Sequence, residues 1–333
     1  MVSKFRSAVL VSMGVALGLA AGATKAASAD PGMIPVGSAA ELRAALGAAK
    51  PGDTIRLAPG NYDGSFVATA KGTAEAPITL MGPLAAVLSN GSGYGLHLDG
   101  AEHWKLTGFS VSNAKKGIVL DRSQHVVIDN VEVSQIAEEA VHFRTSSSDN
   151  LIQESRIHHI GLVKPQYGEA IYFGSAKSNW DQYGENGGPD RSDRNQALNN
   201  KLGPNVAAEH IDIKEGTEGG LVRGNTFDGQ GIAGENSADS WLDAKGNGYL
   251  VEGNTGTFGG DGALVDGYQT HTVVDGFGCG NQFRANNADL GGAEGYAIKV
   301  TNQRECRSAP NVVYRDNEVR NAGKGLTNID VTY

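Results

Sequence analysis

Two segments in the second half of the chain carry the same pair of ionisable residues at the same spacing. HIDIKEGTEGGLVRGNTFDG occupies residues 210–229 and SWLDAKGNGYLVEGNTGTFG occupies residues 240–259. Each copy places an aspartate two residues before a lysine: Asp212 and Lys214 in the first, Asp243 and Lys245 in the second. Alternate residues of a strand point to the same side, so each pair shares one face. If the copies stack as neighbouring strands, like residues lie about 4.8 Å apart.

The chemistry open to this arrangement depends on what separates the carboxylates. At an effective dielectric of about 20, two adjacent carboxylates repel each other by on the order of 3 kcal/mol. A bound Ca²⁺ would remove the repulsion, and a lysine crowded by the metal and by its neighbour would have a depressed pKa and could act as a base. In the alternative, the lysines supply the positive charge themselves, in a surface ladder of ion pairs worth about 0.5 kcal/mol each.

Aligning the other strands with these two copies adds further candidates on the same face. One predicted outward column holds five residues: His142, Tyr172, Asp212, Asp243 and Asp266. A second column, two residues further on, holds five more: Arg144, Gly174, Lys214, Lys245 and Tyr268. Asp212, Asp243 and Asp266 are candidate metal ligands, and Tyr268 or the nearby His271 is a candidate proton donor. His142, Tyr172 and Gln269 are candidate contacts to a bound molecule.

The elements that must position these residues are short β-runs with glycine and asparagine at the bends. Repeats of 22 to 24 residues, with 47 glycines in the chain, are typical of a solenoid whose coils stack on one another. We therefore predict an all-β fold, a right-handed parallel β-helix. Corner asparagines would form an internal ladder between coils. The predicted members of this ladder are Asn225, Asn254, Asn281 and Asn317.

Two segments do not follow the repeat. Ser38 and Glu41 form a capping-box pattern at the start of an amphipathic helix over 38–50, which we interpret as an N-terminal capping helix of the solenoid. Residues 176–206 have too little apolar content for a coil and are predicted to form an inserted loop. Four residues of this loop are candidates for sugar stacking or carboxylate pairing: Trp180, Tyr183, Arg191 and Arg194. A loop with no binding role is the alternative.

The first residues and the composition bound the cellular context. Residues 1–29 have the pattern of a secretory signal peptide, with a basic start, an apolar stretch and a small-residue cleavage site. Without them the charge is −12, from 25 basic and 37 acidic residues, which argues against a nucleic-acid partner. The cysteines, Cys279 and Cys306, are predicted to form a disulfide in an oxidising compartment. We expect a secreted monomer with a single domain over 30–333.

The sequence also resembles a known group of proteins. The coil pattern is similar to the pectate-lyase-like right-handed parallel β-helix superfamily, over most of the chain. PGDTIRLAPGNYDGSFVATAKGTAEAPITLMGP, at 51–83, resembles the first coils of the alginate lyase and chondroitinase B family. In that family a strand lysine abstracts the C5 proton of a uronate, and acidic residues just before it bind Ca²⁺.

The family's catalytic segment has a partial counterpart here. EHIDIKEGTEGGLVRGNTF resembles it, so the resemblance implies Lys214 as the base and Glu209 as a Ca²⁺ ligand. Ala207 occupies the other acidic position, and residues 232–240 lack the family's arginine, which Arg144 could replace from an earlier coil. The first departure removes one acidic position of the family's metal site, so the match to this segment is partial.

The combined expectation is a polysaccharide lyase that cleaves an acidic, uronate-containing polymer by β-elimination, with Lys214 or Lys245 as base and Ca²⁺ as cofactor. Two alternatives remain open. A glycoside hydrolase would use two of Asp212, Asp243 and Asp266 as paired acids separated by roughly 6.5 to 9.5 Å. A non-catalytic β-helix that binds carbohydrate or mediates adhesion would retain glycans without turnover.

Overall fold

The computed structural model describes residues 1, 2 and 32–333, so the predicted signal peptide lies, apart from its first two residues, outside the described residues. The chain over 32–333 winds into a right-handed parallel β-helix of about 11 turns, which confirms the predicted fold class. Every strand pairing is parallel and joins one coil to the next. Among the described residues, no helix is long and apolar enough to cross a membrane.

Three parallel sheets run the length of the solenoid. The back sheet consists of eleven strands: Met33–Val36, Thr54–Leu57, Ile78–Met81, Trp104–Thr107, Val127–Asp129, Leu151–Gln153, Gln196–Leu198, Leu221–Arg223, Leu250–Glu252, Gln282–Arg284 and Val312–Val313. The side sheet consists of Gly60–Asp63, the first halves of Ala86–Asp99 and Ser110–Asp121, and then Glu132–Ile136, Arg156–Ile160, Lys201–Leu202, Thr226–Asp228, Thr255–Thr257, Asn287–Asp289 and Glu318–Arg320.

The third sheet carries the candidate residues, and we call it the groove sheet. It consists of Val67–Ala68, the second halves of Ala86–Asp99 and Ser110–Asp121, and then Val141–Arg144, Ile171–Phe173, Ile211–Ile213, Ser240–Ala244, Asp266–Thr270, Tyr296–Val300 and Gly325–Thr327. Its alternate residues point inward, where Phe143 and Phe173 meet edge to face with ring centroids 5.2 Å apart. The outward residues are thus free to differ from coil to coil.

A helix covers the N-terminal end, as the capping-box pattern predicts. It spans Ala39–Ala48, and the Ser38 hydroxyl accepts a hydrogen bond from the Glu41 backbone amide at 3.3 Å. Leu42 and Leu46 are fully buried against the first coils. Closing the apolar end of a solenoid in this way prevents solvent from reaching its core.

The inserted loop is shorter than the sequence pattern suggests. Its helical turns are Lys177–Asn179, Trp180–Tyr183 and Glu185–Gly187, and the other short turns of the chain are Pro165–Tyr167 and Glu235–Ser237. The prediction of a loop over 176–206 was wrong in its second half, because Gln196–Leu198 and Lys201–Leu202 are paired strands. Polar surface residues obscured these two short strands, of which only Ala197 and Leu202 are buried.

Asparagine ladders join the coils at two corners. In one ladder the side-chain amide of each residue donates to the next at 2.9 to 3.0 Å, through Asn200, Asn225, Asn254, Asn286 and Asn317. Asn281 was predicted for this ladder but belongs to another corner, where its backbone amide donates to Asn311. The backbone groups freed at each bend are thereby satisfied inside the protein.

The asparagine ladder leads to a prediction about stability. Asn254→Ala removes four buried hydrogen bonds, to Asn225, Val222 and Asn286, and we expect the free energy of unfolding to fall by roughly 3 kcal/mol. Asn287→Ala is the matched control, because the Asn287 amide bonds an exposed Glu318. Urea titration measures both variants, and equal losses would contradict a structural role for the ladder.

Candidate active site

The groove sheet places four of the predicted residues in one column. His142 pairs with Tyr172, Tyr172 with Asp212, and Asp212 with Asp243, as the repeat predicts. In the next coil, however, Gln269 and not Asp266 pairs with Asp243. The sequence register of this last strand was therefore wrong by three residues.

The cause of the register error is the interior of the solenoid. Tyr268 pairs with Leu242 and is fully buried, with its ring 5.9 Å from that of Trp241. This large apolar ring fills the core, so the strand aligns on Tyr268 and not on the aspartate. Because Tyr268 points into the core, it cannot donate a proton to a molecule in the groove. His271, in the same coil, occupies the position next to Lys245.

Asp212 is held between two lysines. The Nζ of Lys214 lies 2.5 Å from one oxygen of Asp212, and the Nζ of Lys245 lies 2.8 Å from the other. Lys245 also contacts Asp243 at 2.7 Å, and the Nδ1 of His271 contacts the other oxygen of Asp243 at 2.8 Å. Opposite charges therefore alternate through the cluster, and the lysine side chains are each only 12% exposed.

Glutamates form a further column, of which the sequence analysis identified only Glu209. Glu139, Glu169 and Glu209 each lie two residues before the first residue of their strand, in adjacent coils. The signal was present as three similar strings, EAVHF, EAIYF and EHIDI. One oxygen of each of Glu169, Glu209 and Asp212 lies within 4.8 Å of the others. The Oε2 of Glu169 is buried without a hydrogen-bond partner, so this group offers a free ligand atom.

The predicted metal ligands separate into two groups. Glu209 and Asp212 lie in the acidic cluster, which we define as Glu169, Glu209 and Asp212. Asp243 is bound by Lys245 and His271 instead. Asp266 is fully buried and accepts hydrogen bonds from the backbone amide of Tyr296 at 2.6 Å and from Gln269 at 2.9 Å.

Burial and like charge raise the pKa of both glutamates in the acidic cluster. Burial, followed by the charge of Asp212, raises the pKa of Glu209 to about 8. Burial and the charge of Glu139 raise the pKa of Glu169 well above its ordinary value. Burial disfavours the charged form of Lys214, but the charges of Asp212 and Glu169 outweigh burial and raise the pKa of this lysine. The predicted depression of the lysine pKa is therefore not produced by the protein side chains themselves.

Tyr172 and His142 lie beside the cluster. The Nζ of Lys214 is 5.0 Å from the centre of the Tyr172 ring, and the His142 ring meets Tyr172 edge to face at 4.3 Å. The Nε2 of His142 donates to the carbonyl of Gly174 at 2.8 Å, which leaves the buried Nδ1 as an unpartnered acceptor. Burial and the charge of Arg144 lower the pKa of His142, so the ring is neutral.

Arg144 is fixed from several sides. Its guanidinium donates to both oxygens of Asp121, at 2.8 and 3.1 Å, and to the Tyr94 hydroxyl at 3.0 Å. The ring of Tyr183, on the inserted loop, lies over the guanidinium at 4.2 Å. Arg144 thus anchors this loop to the groove sheet.

Two adjacent cavities lie on the outer face of the groove sheet. One, of about 530 Å³, contains Lys245, His271 and Gln269, and the other, of about 500 Å³, contains His142, Arg144, Tyr172 and Tyr183. Three residues line both: Glu169, Lys214 and Asn236. Glu169 and Lys214 therefore lie where the two cavities adjoin, and we call the two cavities together the groove.

Three residues of the inserted segment do not line this groove. Trp180 is buried, and its indole N–H donates to the Ser175 carbonyl at 3.0 Å. Arg194 pairs with Asp149 at 2.7 Å on an exposed turn. Arg191 pairs with Asp193 at 3.1 Å and with Glu218. The structure therefore places none of these three predicted sugar contacts among the residues that line the two cavities.

The disulfide agrees with the sequence prediction. Cys279 and Cys306 are bonded, 27 residues apart, and join neighbouring coils near the C-terminal end. A closed loop of this size stabilises the folded chain by about 3.5 kcal/mol in the chain-entropy account.

Comparison with known proteins gives a consistent result. Residues 94–181 match the family model described as a right handed beta helix region. The chain is similar to the crystal structure of an alginate lyase from Paenibacillus sp. strain FPU-7, with 40% identity, a TM-score of 0.83 and coverage of 90% of this chain and 99% of that one. No curated protein sequence matches it.

More distant structures share the fold. Pectate lyase Pel9A is 15% identical, with a TM-score of 0.56, and the match covers 84% of this chain and 72% of the Pel9A chain. A rhamnogalacturonan lyase is 11% identical, with a TM-score of 0.58, and the match covers 84% of this chain and 81% of the chain of that lyase.

The raised pKa of Glu209 leads to a prediction about pH. This carboxyl binds its proton more tightly in the folded chain, so its contribution to stability is complete below its ordinary pKa of 4.5 and is lost as the pH rises toward about 8. Glu209→Gln removes that loss. We expect the variant to gain stability over the wild type across this window, by at most roughly 5 kcal/mol.

The measurement is the free energy of unfolding against pH, in the presence of a chelator. Glu235→Gln is the matched control, since Glu235 is an exposed carboxylate that lines the same cavity. Parallel curves for Glu209→Gln and the wild type would show that Glu209 has an ordinary proton affinity.

Proposed function

We propose that this chain, which belongs to the parallel β-helix family of polysaccharide lyases, cleaves alginate or a closely similar uronate polymer by β-elimination at the middle of its groove. The similarity to the Paenibacillus alginate lyase, which extends over 99% of that protein, supports the substrate class. The observation that carries the reaction is the placement of Lys214 and Tyr172 beside one acidic cluster.

The reaction sets three requirements. A base removes the C5 proton of a uronate, an acid protonates the O4 oxygen as the C4–O4 bond breaks, and a positive charge or strong donor stabilises the intermediate enediolate. The three groups must face the same sugar, so they must come from adjacent coils.

Lys214 and Tyr172 meet the first two requirements. Lys214 is the base in this proposal, and its amine accepts the C5 proton when it is neutral. Tyr172 is the acid, because burial, then the charge of Asp212, raises the pKa of its phenol and keeps the proton in place for donation. Lys214 contacts one oxygen of Asp212 and Lys245 contacts the other. Lys245 thus holds in place the carboxylate that positions Lys214.

The acidic cluster fits an oxygen-preferring divalent cation such as Ca²⁺. Glu169, Glu209 and Asp212 would hold it, and the unpartnered oxygen of Glu169 is the observation that supports this fit. Bound there, the cation would neutralise the substrate carboxylate and offset the carboxylates that keep the proton on Lys214.

The alternative functions receive less support from the geometry. Asp212 and Asp243 both bind lysine ammonium groups within 2.8 Å, so neither is free to act as the acid or base of an inverting hydrolase. The carboxylates of the acidic cluster lie within 4.8 Å of one another, closer than the roughly 6.5 Å that such enzymes need. Binding without turnover would not require the buried lysines.

The disulfide supports a location outside the cytoplasm. Bonds such as Cys279–Cys306 persist in oxidising compartments and are rare in the cytosol. We propose that the protein acts after export, where a polymeric substrate is accessible.

The proposed roles predict the effects of two substitutions. Lys214→Ala and Tyr172→Phe should each lower kcat by about 10² to 10⁴-fold, because each removes a proton-transfer group. The assay follows the ultraviolet absorbance of the unsaturated product with alginate, pectate and hyaluronan as substrates. Lys105→Ala is the matched control, since Lys105 lies on the back sheet and pairs with Asp129.

Two results would overturn the assignment. Full activity of Lys214→Ala on a polymer that the wild type cleaves would remove Lys214 as the base. New reducing ends without ultraviolet absorbance would indicate hydrolysis and would contradict the elimination reaction.

The metal proposal predicts a specific loss of Ca²⁺ binding. Glu169→Gln should weaken Ca²⁺ affinity, measured by titration calorimetry, by at least about tenfold, since loss of an outer-sphere partner alone has that effect. Chelator should also suppress turnover by the wild type. Glu235→Gln serves as the control, and equal Ca²⁺ binding by both variants would rule out the acidic cluster as the site.

A further inference from the structure

The half of the groove toward the N-terminal coils contains a second group of charged and aromatic residues. We call it the distal pocket and define it by six residues that line the 500 Å³ cavity: Tyr94, Lys115, Lys116, Lys164, Tyr167 and Tyr183. None of them has a role in the reaction described above. The same cavity extends to Glu169 and Lys214, so the distal pocket and the reacting groups share one space.

The lysines of the distal pocket converge on one carboxylate. Glu138 lies 2.7 Å from the Nζ of Lys164, 3.1 Å from that of Lys116 and 3.8 Å from that of Lys115. Lys116 also pairs with Glu139. Three ammonium groups and two carboxylates therefore leave one uncompensated positive charge in the pocket, although the chain as a whole carries −9.

The exposure of these lysines differs. The side chains of Lys164 and Lys115 are 47% and 45% exposed, whereas that of Glu138 is only 6% exposed. The carboxylate thus holds the lysines from below, while their ammonium groups face the groove. An anion in the groove can contact Lys164 without displacing Glu138, because an ammonium group has three donors.

Tyrosines border the same space. Tyr167 is 46% exposed, and the Nζ of Lys164 lies 5.8 Å from the centre of its ring. Tyr183, which also lines this cavity, is held over Arg144. A rigid aromatic face beside a cation suits a sugar ring that carries a carboxylate, since the ring packs on the tyrosine and the carboxylate meets the lysine.

The distance to the reacting groups is set by the coil spacing. Lys164 contacts Glu138, just before the strand Val141–Arg144, and this strand lies two coils from Ile211–Ile213, the strand before Lys214, because Val141 pairs with Ile171 and Ile171 with Ile211. Two coils separate the positions by about 10 Å. That distance exceeds the width of one pyranose ring, so a sugar in the distal pocket is not the sugar that reacts.

We infer that the distal pocket is a binding subsite for uronate residues that the enzyme does not cleave, with Lys164 as its main carboxylate contact and Tyr167 as its sugar platform. This inference rests on the proposed function, since it assumes that a uronate polymer lies along the groove. It implies that affinity increases with polymer length until the chain fills this half of the groove.

The test compares Lys164→Ala and Lys164→Glu with Lys105→Ala, the back-sheet control, on alginate oligosaccharides of graded length. In the wild type KM should fall as the oligosaccharide lengthens. Lys164→Ala should raise KM for the polymer by about tenfold, the loss of one charged contact, with kcat nearly unchanged. Its KM for the shortest cleaved oligosaccharides should equal that of the wild type. Lys164→Glu should raise KM for the polymer further than Lys164→Ala does, because it adds a carboxylate that repels the substrate.

The outcomes separate the subsite from the reaction. If the wild type cleaves alginate and Lys164→Ala has the same length dependence as Lys105→Ala, the subsite is wrong and the lyase function stands. If the wild type cleaves no uronate polymer, the proposed function fails, and retardation of each protein in an alginate-containing gel decides the subsite. Less retardation of Lys164→Ala than of Lys105→Ala supports it, and equal retardation overturns it.

Discussion

The in-register stacking of one coil on the next is the constraint on which the rest of this molecule depends. Parallel strands about 4.8 Å apart force residues at equivalent positions into contact, whatever their charge. Asparagines tolerate this repetition, because each amide donates to the next, as Asn225 does to Asn254 at 3.0 Å. Carboxylates do not tolerate it, so every acidic column needs protons, lysines or a cation. The chemistry of the groove follows from how that repulsion is relieved.

Relief takes two forms on adjacent columns. Asp212 and Asp243 are compensated by Lys214 and Lys245, which the same strands supply two residues later. Among the described residues Glu169 and Glu209 have no ion-pair partner of this kind, and burial, followed by the charge of neighbouring carboxylates, raises the pKa of both. Stored repulsion of this kind is typical of a functional site, because a structural column would have been filled with apolar or amide side chains. The unrelieved repulsion in the acidic cluster is the physical basis for the proposed cation site.

The sequence predicts the parts of this protein that repeat. The fold, the capping helix and the column from His142 to Asp243 follow from alternation and period, since stacking converts equal spacing into proximity. Tyr268 was misplaced because the alignment matched aspartates, whereas the core selects the register through ring packing. Glu169 was missed because it lies outside the alternating strand, at a position whose repetition carries no hydrophobic signal. The inserted loop was drawn too long because short strands with polar neighbours resemble a loop in composition.

In an acidic protein that acts on an acidic polymer, the residues that attract the polymer and the residues that carry out the reaction must be different. Lys214 is buried and forms an ion pair with Asp212. The two charges neutralise each other, so Lys214 attracts a free polymer only weakly. A buried lysine without its carboxylate would instead lose its charge, because desolvation disfavours an isolated ammonium group. Capture therefore falls to lysines at the solvent edge of the groove, of which Lys164 is nearly half exposed. Salt should weaken binding of the polymer more than it lowers kcat, since ionic screening acts strongly on exposed charges and only weakly on buried ion pairs.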